Sequence, residues 1–296
     1  MGPLKTIAIL LCFFTVIFTG KMAEAGKHAS QMLFLESEIM ESGSEFFLFG
    51  LEETPQKACQ TAQWVMHYLY LPQAPQHKKA KEIVDIADKI NVFSPGMKSL
   101  ISKEKKYKNK AKDAFLDRLG QFEPTIFEIC ALNDFVQRYV WNKQLPKVRK
   151  DAIHVLMALA NIGYADSQTL TYWVLLDKVK SEKNPEKKQK LFEAAVGYLK
   201  QAVDQNDVRA LWSYATMWRD YRKNYLLSLK YYFVTSKNEN FSKVLSQKEL
   251  QKFENDKNRM IKVLTAPEIK AASTFSEKES RELSKVHPML ITDFLN

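Results

Sequence analysis

Apolar residues recur three and four positions apart along most of the chain beyond residue 53, a spacing that predicts helix after helix. The segment 54–70 opens with Thr54-Pro55, a helix-start signal, and closes before Pro72. In 78–90, Ile83, Ile86, Ala87 and Ile90 share one face. Helices follow over 110–119, 124–141, 148–162, 167–180, 187–205, 207–221 and 226–235. A polar amphipathic helix is predicted over 247–264, with Leu250, Phe253, Met260, Ile261 and Leu264 as its inner stripe. Thr265-Ala266-Pro267-Glu268 starts a short last helix within 265–280. Sustained period-two alternation is lacking; 45–51 (EFFLFGL) is the best strand candidate and has no partner. The fold class is therefore all-α.

Three of these helices share one internal pattern, a small residue followed by larger ones at +3 and +4 and a further pair at +7 and +8. The sets are Ala152-Val155-Leu156-Leu159-Ala160, Ala195-Tyr198-Leu199-Ala202-Val203 and Ser228-Tyr231-Tyr232-Thr235-Ser236. Each preceding helix has its own frame: Ala131-Phe135-Val136-Arg138-Tyr139, Gln168-Tyr172-Trp173-Leu175-Leu176 and Ala210-Tyr214-Ala215-Met217-Trp218. The charged loop 177–190 lengthens the middle unit, and the turn 220–224 shortens the last.

On these residues, 131–239 resembles Sel-one-like repeats, relatives of the tetratricopeptide repeat. Ala210, Tyr214, Ala215, Met217 and Trp218 stand where the family has an alanine and then Leu-Gly-x-Met-Tyr. Ala195, Tyr198, Leu199, Ala202, Val203 and Asn206 follow its second element, and Leu229, Lys230, Tyr231 and Tyr232 echo it. Val136, Trp173 and Ala215 replace the family's close-contact glycine, so the repeats are divergent. The resemblance implies a right-handed α-solenoid in which first helices line a concave face and second helices a convex one. The expected organisation is a helical region over 26–123, repeats over 124–240 and a polar helical cap and tail over 241–296.

Only 9 Gly and 10 Pro occur in 296 residues, which disfavours turn-rich sandwiches and propellers. A 26% charged, 46% hydrophobic composition excludes a disordered chain and a multispan membrane protein. Lys5, the apolar run 7–18 and Ala23-Glu24-Ala25 form the pattern of a secretory signal peptide over 1–25, cleaved after Ala25. Cleavage leaves no membrane span and places the chain in the periplasm or outside the cell; an uncleaved anchor is the alternative. In that oxidising setting Cys59 and Cys130 either pair or remain as two buried thiols; both readings stay open.

The net charge is +10. Seven lysines in 98–112 (Lys98, Lys103, Lys105, Lys106, Lys108, Lys110 and Lys112) face Glu104 alone. They read first as a solvated linker and helix face, with weak contact to an anionic surface as the alternative. Tyr107 is their only aromatic, and export argues against nucleic acid.

Motifs that carry chemistry are lacking. The five histidines, His28, His67, His77, His154 and His287, include no pair at helical ligand spacing, so neither metal nor cofactor is expected. A Gly-rich phosphate loop and a nucleophile elbow are lacking as well. The aromatics between 172 and 232 mostly fall on frame positions and read as core. Trp212 lies off that face, beside Arg209, Thr216 and Arg219. With Val174 and Lys178 on the preceding first helix, this ridge is the candidate partner-binding site, since Trp and Arg commonly anchor interfaces. The function expected is a non-catalytic scaffold holding a protein or peptide in a groove. An envelope- or wall-acting enzyme and a binder of anionic lipid or polymer through 98–112 are the alternatives.

Overall fold

The computed structural model describes residues 54–89, 94, 97–101, 115–116, 118–119 and 124–291. The predicted leader, the 45–51 strand candidate and all lysines of 98–112 except Lys98 lie outside these residues. The described residues are helical and contain no strand.

In chain order the helices are α1 (Pro55–Leu69), α2 (His77–Lys89), α3 (Met97–Ile101), α4 (Ile126–Tyr139), α5 (Pro146–Ile162) and α6 (Ala165–Ser181). They continue with α7 (Pro185–Asp204), α8 (Val208–Asp220), α9 (Tyr225–Ser236), α10 (Phe241–Val244), α11 (Gln247–Val263) and α12 (Ala266–Leu283). Short polar side chains start many of them by filling the unsatisfied N–H groups of the first turn. Thr54 does so for α1, Asn184 for α7, Asp207 for α8 and Asn224 for α9. At α4, Thr125 and Glu128 cap reciprocally: Glu128 N–H donates to Thr125 Oγ1 at 3.2 Å, and Thr125 N–H to Glu128 Oε2 at 3.0 Å. The other Glu128 oxygen accepts from the N–H of Ser94 and ties that distant segment to the same turn. α5 stops at Gly163, whose φ of 120° suits a residue without Cβ.

Packing is mostly between chain neighbours. α1 lies on α2 and α4, α4 on α5, α5 on α6, α6 on α7, α7 on α8, and α8 on α9. α6 also meets α8, and α9 carries both cap helices, α11 and α12. One hydrophobic cluster joins α1–α5 with Val174 of α6. A second joins α6, α7 and α8, and a third joins α8 and α9 to Phe253, Met260 and Ala272 of the cap. The small positions Ala152, Ala195 and Ser228 are fully buried, so neighbouring helices approach there. Most frame positions face the core; Arg138 and Trp173 are the two exposed ones.

Cys59 of α1 and Cys130 of α4 are joined by a disulfide across 71 residues, both sulfurs buried. Lys98 pairs with Asp85 at 2.8 Å and Asp88 at 3.5 Å, so this lysine sits against α2. The last helix runs longer than its start signal suggested, to Leu283. Residues beyond it return to the start of α6, where Ile291 is fully buried. Among the described residues no helix is long and apolar enough to cross a membrane.

Candidate functional site

The first helices and the cap enclose a cavity of about 590 Å³. α6 contributes Asp166, Thr169, Leu170 and Trp173, spaced three and four apart, hence one face. α8 contributes Arg209, Trp212, Ser213, Thr216 and Arg219 by the same spacing, with Asp207 at its N-cap. Gln137 of α4 adds to the wall, and Glu249, Lys252 and Asp256 of α11 close the far side. The second helices α5, α7 and α9 contribute nothing to it.

Four of the six predicted partner-binding residues, Arg209, Trp212, Thr216 and Arg219, therefore lie together. The two on α6 do not join them, and here the structure corrects the expectation. Val174 is buried among the residues of α1–α5. Lys178, one turn further on that same face, is half-buried near Arg149; burial first, then that cation, lowers its ammonium pKa. Successive helix positions point about 100° apart, so the residue before Val174 takes the cavity side. That residue is Trp173, 39% exposed and the largest free apolar surface of the site.

The α8 ridge is also not bare. Arg209 donates to Glu249 at 2.7 Å and to the Val244 carbonyl at 3.0 Å. Arg219 contacts Asp256 at 3.0 Å, the buried Tyr232 hydroxyl at 3.0 Å and Asp220 at 2.7 Å. Asp220 does most to raise the guanidinium's pKa, against burial, with Tyr232 and Asp256 adding to the rise. Trp212 meets Phe253 of α11 edge-on at 5.9 Å, and Lys252 Nζ lies 5.8 Å from its ring centre. Thr216 Oγ1 donates to the Trp212 carbonyl at 3.0 Å. The cap helix thus meets the ridge expected to meet a partner.

Two carboxylates of the wall are shifted in opposite directions. Burial raises Asp207, although the Ala210 N–H and the Thr169 hydroxyl donate to it and oppose the rise. Glu249 is held down to about 2, first by the Ser246 hydroxyl, then by the Ser246 N–H and, further, by Arg209. Asp207 serves as a helix cap, and Glu249 and Asp256 are ion-paired, so these acids are engaged in structure. Two tryptophans beside ion-paired Arg209–Glu249 and Arg219–Asp256 suit recognition of a partly apolar ligand.

The residues missed from sequence include Trp173, Asp207, Glu249, Lys252 and Asp256. Asp207 announces itself as a residue preceding a helix start. The three from α11 carry no local signal, because only the fold-back of the cap brings them here. Among the described residues no three His, Cys, Asp or Glu side chains gather as a metal site. Comparison with protein-family models, with curated proteins and with solved structures finds no match for this chain.

Proposed function

We propose that this chain is an exported, non-catalytic scaffold that binds a protein or peptide partner in a groove of helical repeats. In this reading the helix pairs of 124–240 are divergent Sel-one-like repeats stacked as a right-handed solenoid. Chain-sequential packing and the burial of the small repeat positions support that stacking. Export rests on the leader pattern of 1–25, and the buried Cys59–Cys130 bridge fits the periplasm or the extracellular space.

The observation that carries the binding role is the composition of the cavity wall. Every repeat residue in it comes from a first helix or its cap, and its exposed anchor is an aromatic, Trp173. Aromatic anchors within a polar rim are what partner sites present. Recognition then works by shape and apolar contact along a preformed groove.

A photo-crosslinking residue placed at Trp173 of the mature chain tests this in the native extract. Partner adducts should form there and not from the outward-facing His154 on α5, and Trp173→Ala should weaken capture at least tenfold while helicity is kept. Equal adducts from both positions, or unchanged capture by Trp173→Ala, would refute a groove-bound partner.

A further inference from the structure

Residues 286–290 carry no regular structure and, with Ile291, run back across the turn between α5 and α6. Their backbone is read at every second residue, as an extended peptide is. Met289 N–H donates to Gln205 Oε1 at 3.1 Å, and Met289 C=O accepts from Ala165 N–H at 2.8 Å. Ile291 N–H then donates to Asp166 Oδ2 at 3.1 Å. The Ala165 contact supplies what α6 lacks, because Tyr164 precedes that helix and gives it no side-chain cap.

The receiving groups are held in place beforehand. Gln205 Nε2 donates to the Gly163 carbonyl at 2.8 Å and to Gln168 Oε1 at 2.9 Å, which turns its oxygen toward the returning chain. Gln168 is itself buried and donates to the Ala160 carbonyl at 3.1 Å. A Cβ on Gly163 would stand 3.1 Å from Met289 Cε, so the bare glycine makes room for that side chain. Two apolar anchors complete the fit: Leu290 packs on the cluster of α6–α8, and Ile291 enters the cluster of α1–α5.

We infer that this dock is an exchangeable peptide-binding slot, filled here by the chain's own tail. Its external ligand is an extended segment of a partner protein carrying adjacent aliphatic residues in the places of Leu290 and Ile291. Residues 284–287, between α12 and the anchors, are exposed, so the tail detaches without unfolding a helix. Pro288 prevents that connector from continuing as one. The slot adjoins the neighbouring cavity, and Asp166 belongs to the walls of both.

A labelled peptide of residues 284–291 (SKVHPMLI) tests this by fluorescence anisotropy. A chain ending at Ser284 should bind it saturably, and Gln205→Ala in that shortened chain should weaken binding at least fivefold. The complete chain should bind at least tenfold more weakly, since a tethered tail competes at an effective concentration on the order of millimolar. The complete chain carrying Ile291→Asp keeps every helix, should release the tail and should gain binding. A peptide with the same change should not bind. Absence of binding by a folded shortened chain, or equal binding by the complete chain, would overturn the inference. Should the shortened chain not fold, Ile291→Asp decides; failure of that variant to fold or to bind also overturns it.

Discussion

Arg219 of α8 and Asp256 of α11 form an ion pair at 3.0 Å, with side chains only 17% and 9% exposed. The pair joins α11 to α8, and the same guanidinium donates to the Tyr232 hydroxyl of α9 at 3.0 Å. Removing one member of a buried pair leaves the other charge without compensation. Here Asp220, 46% exposed, remains beside Arg219 and softens the loss. Asp256→Asn is therefore expected to cost about 2 kcal/mol, below the range for an outright buried break. Urea unfolding measures it, and hydrogen exchange should show α11 opening ahead of α6 and α8. A loss under about 0.5 kcal/mol would mean that the cap is held by its apolar contacts alone.

Glu249 makes cap attachment sensitive to acid. Its carboxyl sits at about 2 when folded, against an ordinary carboxylate value near 4.3 when unfolded. A depressed acid stabilises the folded state fully above the unfolded value, and the benefit is lost as pH falls through the folded one. The stability difference between the natural chain and Glu249→Gln should be about 1 kcal/mol at pH 7, since much of this group is open to solvent. It should shrink below about pH 4.3 and vanish near pH 2. Asp207, raised by burial, acts in the opposite sense but is common to both chains and cancels. A difference that stays constant down to pH 2 would assign the effect to packing.

The Cys59–Cys130 bridge closes a loop of 71 residues. Chain entropy alone makes such a crosslink worth about 4 kcal/mol. Cys130→Ser together with Cys59→Ala should lower unfolding stability by roughly that amount. The loss should fall on the packing of α1 against α4, while protection of α6–α9 against exchange persists. Uniform loss of protection along the whole chain would show instead that α1–α4 and α6–α9 unfold as one unit.

Helix positions were legible in the sequence because each helix is defined by local rules. The starts at Thr54-Pro55 and Ser246 are short polar caps, and the apolar faces repeat every three to four residues. The charged stretch 177–190, expected as a loop, is instead helix to Ser181 and again from Pro185, where Asn184 caps α7; its lysines and glutamates are good helix formers on an exposed face. Two short helices escaped. α3 lies at the edge of a lysine-rich stretch, and α10 has four residues, too few for periodicity to register. At the site, the α8 residues expected from spacing line the cavity, whereas on α6 the cavity side belongs to Trp173, one residue before the expected Val174. Trp173 occupies a frame position that is buried in the equivalent helices as Val136 and Ala215; here it turns toward the cavity.

The sequence by itself determined that this is a chain of helices, the place of each long one to within a few residues, and which small residues allow them to touch, since those properties depend on neighbours within a few positions. Tertiary structure alone decided that α11 folds back onto Arg209 and Arg219, that Cys59 meets Cys130, and that Met289 and Ile291 return to α6. These contacts join residues between 37 and 125 positions apart. Their partners are selected by the shape and unsatisfied groups of an assembled surface, which no local pattern encodes.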